Sequence, residues 1–390
     1  MNAIAASERT VSGSWASHLE CSRTGEHAPL DEPAFLSPAG APWLVRYRLE
    51  RAAGPGWKEA LRGRDRGLWR YRELLPLLRF DDRVDLGEGG TPLVRLRRSA
   101  PDGLQVWLKE EGANPTGSFK ARGLSLAVNR ARELGAPGVQ LPSAGNAALA
   151  VAAYAAAAGL PARVAVPEDT PPKILRRCRE HGAEVLTAPG TLVDAAKRLA
   201  EKKDGYFDLS TLKEPYRAEG KKTMGLELAE QFDWDLPEWI VYPTGGGTGI
   251  VGMQKAFDEL EALGLIGSRR PRFVVVQMEG CAPLVRAFLA GADTATPWES
   301  PQTDVWGLRV PRAVADFIIL GALRATHGVA LAVPEAGLAE DAARFARDEG
   351  FRVGPEGAAA MRALVTLAHQ GAIPPGDRVV VFQTGNPDNY

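Results

Sequence analysis

From about residue 104, short strand-like runs alternate with segments of helical period, and this alternation narrows the fold more than any other feature of the chain. The strand-like runs span 106–109, 138–141, 163–166, 184–186, 206–209, 239–242, 273–277 and 378–382. Helical spacing covers 146–158, 172–181, 191–203, 248–263, 338–349 and 356–369. Leu124, Ala127, Val128, Ala131 and Leu134 mark one more helix. Strands alternating with helices build parallel sheets covered on both faces. An α/β architecture is therefore expected, with ligands held at the carboxyl ends of strands, where loops enter helices. Residues 1 to about 85 lack this rhythm. They are rich in Gly, Pro and Arg, carry Trp15, Trp43, Trp57 and Trp69 at wide spacing, and read as an irregular extension wrapped over the rest.

Composition narrows the partners. A chain of 390 residues can bury a large core in two or more units. Its formal net charge of −1 gives no general electrostatic reason to bind nucleic acid or an anionic membrane. Cys21, Cys178 and Cys281 stand far apart with no pair motif, which fits a reducing compartment. Residues Met1 to Arg9 lack the basic start and apolar run of a leader, and no uncharged run approaches the ~20 residues of a membrane helix. A cytoplasmic protein acting on a small molecule is the expectation.

Three loops lie where such a sheet would hold a ligand. The first is Asn114-Pro115-Thr116-Gly117-Ser118-Phe119-Lys120, between a strand and a helix. Lys120 falls in the first helical turn, at the positive end of the dipole, where a cation is disfavoured. That placement lowers the amine's pKa, as a Schiff-base lysine requires. A solvated lysine beside a Gly-Ser turn is the plain alternative. The second loop, Pro142-Ser143-Ala144-Gly145-Asn146, offers amides and small side chains to a carboxylate, although Asn146 also suits a simple helix cap. The third, Thr244 to Gly249, has three consecutive glycines that let backbone approach a phosphate at a helix N-terminus. Gly247, Gly249 and Gly252 also satisfy GxGxxG, with Glu279 placed as a ribose-binding acid, so a dinucleotide site competes. That reading leaves Lys120 and Asn146 without roles. A lysine amine, a phosphate cradle and an anion-binding loop together suit pyridoxal 5′-phosphate with an amino-acid substrate.

These loops belong to a longer series of motifs. Leu86-Gly87-Glu88-Gly89-Gly90-Thr91-Pro92-Leu93, Pro215-Tyr216-Arg217-Ala218-Glu219-Gly220-Lys221-Lys222-Thr223, Pro355-Glu356-Gly357-Ala358-Ala359 and Gln383-Thr384-Gly385 complete it, over about residues 17–385. With them the chain resembles the fold-type II pyridoxal-phosphate enzymes, and among these the threonine synthase family. The resemblance implies two parallel-sheet domains and an N-terminal extension. The extension would be 1–85, the large cofactor-binding domain 86–125 with 231–390, and a small mobile domain 126–230.

The resemblance also implies roles. Lys120 would carry the cofactor and move the substrate's α-proton. Phe119 would lie beside the ring, Asn146 at the phenolic oxygen and Thr384 at the pyridine nitrogen. Gly245, Gly246, Gly247, Thr248 and Gly249 would surround the phosphate. Ser143, Ala144 and Gly145 would take the substrate's carboxylate, and Arg217 and Lys221, with Lys222 near them, its phosphate. A solvated helix face is the alternative for those cations, and a plain strand-end hydroxyl for Thr384. The implied activity converts O-phosphohomoserine and water to threonine and phosphate; β-elimination or β-replacement, as in a dehydratase or a phosphoserine-using synthase, is the alternative. A homodimer is the family's expectation.

The chain also departs from that pattern. Ala147 stands where a threonine commonly follows Gly-Asn, and Ala121 where an aspartate often follows the lysine. Thr211-Leu212-Lys213-Glu214 replaces a segment that often carries Asn and Ser, and Glu214 would oppose a phosphate if it faced that pocket. Relatives often carry a cysteine-based zinc knuckle in the extension. This chain keeps Cys21 alone, with Thr24 and Ser37 near the other positions. His18 and His27 could ligate a metal, but the usual thiolate pairs are missing, so no metal is expected.

Overall fold

The computed structural model describes residues 13–52 and 56–389. The extension is more ordered than its composition suggests. It opens with β1 (Ala16–Cys21), β2 (His27–Ala28) and β3 (Trp43–Tyr47), an antiparallel sheet in the order β2-β1-β3. Alternation along these strands turns Leu19, Cys21, Trp43 and Val45 into a small core of their own. The expectation of an irregular extension is corrected here. Its strands are short and bear polar residues on the outer face, so no long alternating run announces them. Helix α1 (Gly56–Arg62) and 3-10 turns over Leu68–Leu74 then deliver Trp57, Leu61, Tyr71 and Leu74 to the principal core.

The chain enters the larger sheet through β4 (Leu93–Arg95) and β5 (Gln105–Glu110), and α2 (Lys120–Glu133) leads out of it. A four-stranded unit follows: β6 (Val139–Pro142), α3 (Asn146–Ala158), β7 (Ala162–Pro167), α4 (Pro172–Glu180), β8 (Glu184–Ala188), α5 (Leu192–Ala200) and β9 (Phe207–Asp208). Its strands are all parallel, in the order β8-β7-β6-β9. Helix α6 (Tyr216–Gln231) returns the chain to the larger sheet.

That sheet is completed by β10 (Trp239–Pro243), α7 (Thr248–Ala262), β11 (Arg272–Met278), α8 (Pro283–Leu289), α9 (Asp316–Ala325) and β12 (Val329–Val333). The last elements are α10 (Leu338–Glu349), α11 (Pro355–His369) and β13 (Arg378–Gln383). The order is β12-β11-β10-β13-β5-β4, parallel except for β4, which runs antiparallel to β5 at the edge. Strands β10, β11 and β13 are buried along nearly their whole length. A strand covered by helices on both faces reads as one apolar run, not as an alternation.

The α/β expectation holds, with β4 as its antiparallel exception. Helix α6 had no helical signature in the sequence because it is buried on nearly every side, charged residues included. A stripe of apolar residues is the mark of a helix with one wet face, and α6 has none.

Candidate active site

Lys120 is the first residue of α2, and the end of β13 holds its loop in place. The Phe119 amide donates to the Thr384 carbonyl at 3.0 Å, and Ser118 pairs with Gly385. Gly117 adopts φ +71°, and a Cβ there would lie 2.8 Å from the Asn389 side chain, so only glycine fits this turn. Asn389 Nδ2 donates to Asn146 Oδ1 at 2.6 Å and reaches the Thr116 and Gly117 carbonyls at 3.1 Å. One side chain near the C-terminal end thus ties the lysine loop to the start of α3. Asn146 is the first residue of that helix and Gly145 its cap, so the capping role weighed for Asn146 falls to its neighbour.

The Lys120 amine lies 4.2 Å from the centre of the Phe119 ring. Burial pulls its pKa from 10.5 down to about 7, the Arg217 cation adds to the fall, and Glu356 opposes it. Glu356 also accepts from the Gly307 amide at 3.2 Å. Neither Glu356 nor Asn389 was singled out from the sequence as a site residue.

The glycine loop after β10 is packed tightly from behind. A Cβ on Gly245 would meet the Gly307 carbonyl at 2.5 Å, one on Gly247 the Ile319 side chain at 2.0 Å, and one on Gly249 the Tyr242 hydroxyl at 2.1 Å. Gly246 differs: among the described residues, the Thr211 methyl at 3.2 Å is the sole atom within 4 Å of where its Cβ would lie. Among the described residues, no backbone or side-chain acceptor meets the amides of Gly245, Gly246 and Gly247. Thr248 begins α7, so these free amides sit at a helix N-terminus, where an anion is favoured.

Ser143, Ala144 and Gly145 join β6 to α3. The Ser143 hydroxyl accepts from the Gly145 amide at 3.3 Å, and the Ser143 amide is held by the Ala165 carbonyl at 3.0 Å. Thr384 is buried at the end of β13.

Helix α6 brings two cations toward Lys120. Arg217 is buried, with Nη1 donating to the Leu209 carbonyl at 2.6 Å, while Nε and Nη2 have no hydrogen-bond partner. Lys221 is buried as well; its Nζ has no hydrogen-bond partner and lies 4.8 Å from the centre of the Phe119 ring. Burial, with Arg217 and Lys120 adding, holds the Lys221 amine well below its usual range.

Lys222 does not join them. It pairs with Glu219 and Glu259, each at 2.7 Å, which corrects the expectation that it stands near the substrate's phosphate. Glu214 lies close enough to act on Arg217 and Lys221, yet its oxygens accept the amides of Tyr216 and Arg217 and cap α6. Burial pushes that carboxyl up to about 7.

In the extension, His18, Glu20 and His27 offer ligand atoms within 4.8 Å of one another, but Glu20 is already bound to Arg46 at 2.6 Å. Cys21 Sγ instead donates to the Ser37 hydroxyl at 3.1 Å.

Residues 84–385 match the pyridoxal-phosphate dependent enzymes. The threonine synthase of Methanosarcina acetivorans is 36% identical over 378 residues, covering 95% of this chain and 91% of that protein. That of Methanocaldococcus jannaschii is 34% identical over 375 residues, covering 94% and 91%. The chain belongs to the threonine synthase family of pyridoxal-phosphate dependent enzymes. It is a pyridoxal-phosphate-dependent lyase, and the dinucleotide reading of the glycine loop is set aside. Among solved structures, an L-serine ammonia-lyase from Rhizomucor miehei shares the fold at TM-score 0.65 and 23% identity, covering 77% of this chain and 94% of that one. Threonine deaminase isoform 2 from Solanum lycopersicum, in its processed form, shares it at TM-score 0.64 and 22% identity, covering 76% and 83%. Among the described residues, no helix is long and apolar enough to cross a membrane.

Proposed function

We propose that this threonine synthase family member converts O-phosphohomoserine and water to threonine and phosphate, with Lys120 as its catalytic residue. The observation that carries the reading is the pair Arg217 and Lys221, one helical turn apart on α6, whose free polar atoms lie beside Lys120. Buried basic groups without full partners are costly to charge, and a doubly charged phosphate arriving with the substrate offsets that cost. A hydroxyamino acid without phosphate would leave them unanswered.

The cofactor fits the residues present. Free amides at Gly245, Gly246 and Gly247 suit its phosphate, with Thr248 and Gly249 continuing the cradle into α7. Lys120 supplies the amine for its aldehyde, Phe119 flanks its ring, Asn146 takes the phenolic oxygen and Thr384 the pyridine nitrogen. When bound, the ring supplies an electron sink for charge left on the substrate's α-carbon.

The chain's own residues do the rest. Amides at Ser143, Ala144 and Gly145 orient the substrate's carboxylate. Lys120, whose amine is already near neutrality, takes the α-proton at its Nζ. Arg217 and Lys221 draw the leaving phosphate from the γ-carbon once a β-proton is also lost. Water then adds its hydroxyl at the β-carbon, and the released protons end on the γ-carbon, the α-carbon and the phosphate. Closure of a small domain, 126–230, on the large one would exclude bulk water from these steps. A homodimer working in the cytoplasm completes the proposal.

Assaying O-phosphohomoserine, phosphoserine, serine and threonine side by side tests it. Threonine and phosphate should form from O-phosphohomoserine. A keto acid from serine or threonine, with no product from O-phosphohomoserine, would replace this reading with a dehydratase.

A further inference from the structure

Helix α6 carries a second charge cluster on the side away from the cleft. Residues two apart on a helix point ~200° apart, so Glu219 faces opposite to Arg217 and Lys221, which share one face. Glu219 is buried and pairs with Lys222 at 2.7 Å and with Lys255 of α7 at 3.1 Å. Glu259, also on α7, pairs with both lysines. Two lysines and two glutamates balance, and together they clamp α6 to α7.

The clamp is closed by the N-terminal sheet. Tyr47, the last residue of β3, donates its hydroxyl to Glu219 at 2.6 Å. The Lys222 and Lys255 amines lie 3.8 and 4.5 Å from the centre of its ring. The helices meet closely here. A Cβ on Gly252 of α7 would fall 2.8 Å from the Lys222 amide and 2.9 Å from the Ala218 carbonyl, so no layer of side chains can absorb a roll of one helix on the other. Helix α7 starts at the glycine cradle, and α6 carries the cleft cations. The angle between the helices therefore sets the distance between cofactor and substrate phosphates.

We propose that Tyr47 is a positioning residue for the substrate-phosphate site. From the N-terminal sheet it fixes the roll of α6 on α7, and so sets where Arg217 and Lys221 stand. The inference rests on the proposed role of Arg217.

The test uses the full-length holoenzyme as wild type, Tyr47→Phe, Arg217→Ala and the double variant. Tyr47→Phe removes one hydroxyl and keeps the ring over both lysines. It should raise KM for O-phosphohomoserine by roughly three- to tenfold while kcat stays within about twofold, a coupling typical of residues that act through another. Pyridoxal-phosphate affinity, read by equilibrium dialysis, should not change. In the Arg217→Ala background, Tyr47→Phe should raise KM by less than it does in wild type, since only Lys221 is left to misplace. An unchanged KM in Tyr47→Phe, or two effects that simply multiply, would reduce Tyr47 to a structural contact and overturn the inference. If Arg217→Ala itself leaves KM unchanged, the proposed function fails first and takes this inference with it. Should Tyr47→Phe not fold, Glu219→Gln enters the same cycle; it should raise KM by a similar factor, and an unchanged KM there overturns the inference.

Discussion

Lys120 works against the fold that holds it. Its amine titrates near 7 in the folded protein, against 10.5 for an unburied lysine. Between those values the unfolded chain binds the extra proton, so this residue's contribution to stability rises with pH across that window and is unfavourable below it. Lys120→Ala should therefore abolish turnover while leaving the urea midpoint of the cofactor-free protein at pH 7 equal to or above wild type. Retained turnover, or a clear loss of stability, would contradict that assignment. The glycine loop separates in the same way. Gly246→Val should weaken pyridoxal-phosphate binding in dialysis with little loss of stability, because its Cβ meets only the Thr211 methyl. Gly247→Ala should instead destabilise the protein, since φ is +70° and Ile319 fills the space. Equal cofactor affinity in wild type and Gly246→Val would remove the cradle from the site. Lys120, the glycines and Asn146 could be proposed from the sequence because each sits in a compact local motif. Asn389 was not, because its bond to Asn146 spans 243 residues of sequence.

At the scale of elements, α6 shows how one helix serves two sites. Arg217 and Lys221 face Lys120, while Glu219 and Lys222 face α7. A linear reading placed Lys221 and Lys222 together, since adjacent residues look alike until a helix turns them ~100° apart. Loss of one charge-assisted contact costs roughly 1.5–3 kcal/mol, so Arg217→Ala should raise KM for O-phosphohomoserine by one to two decades. Steady-state kinetics with serine in place of the phosphorylated substrate should show no such change. An equal effect on both substrates would mean that Arg217 supports the fold and not the phosphate. Most strands and helices after residue 104 emerged within a few residues of expectation, because apolar runs and helical spacing are strong there. The N-terminal sheet, α6, α8, α9 and β12 did not, the sheet for want of length and α6 for want of a wet face.

At the scale of the whole molecule, a buried ion network ties α2 and α6 to β5 of the larger sheet. Glu227 of α6 binds Lys109 of β5 at 2.9 Å and Arg122 of α2 at 2.6 Å, and accepts the Gly90 amide at 2.7 Å. Arg122 also binds Glu111 at 2.7 Å. No hydrophobic pattern could reveal this layer, since its members read as ordinary surface charges until the fold buries them together. Burial alone would raise the Glu227 carboxyl, but Arg122 and Lys109 outweigh it and hold the group well below its usual range. A depressed carboxyl contributes stability that is fully present above about 4.5, the value in the unfolded chain, and is lost as pH falls below it. Glu227→Gln removes the charge and leaves two buried cations sharing Glu111. At pH 7 this should cost on the order of 3–5 kcal/mol, the range for breaking a buried pair. The gap should narrow as pH drops from 5 toward 3, because the unfolded wild-type chain then takes up a proton at Glu227 while the folded protein still holds the carboxylate charged. Urea midpoints of both proteins at pH 7, 5 and 4 measure it. A gap that stays constant with pH would show that Glu227 acts through its shape and hydrogen bonds, not its charge.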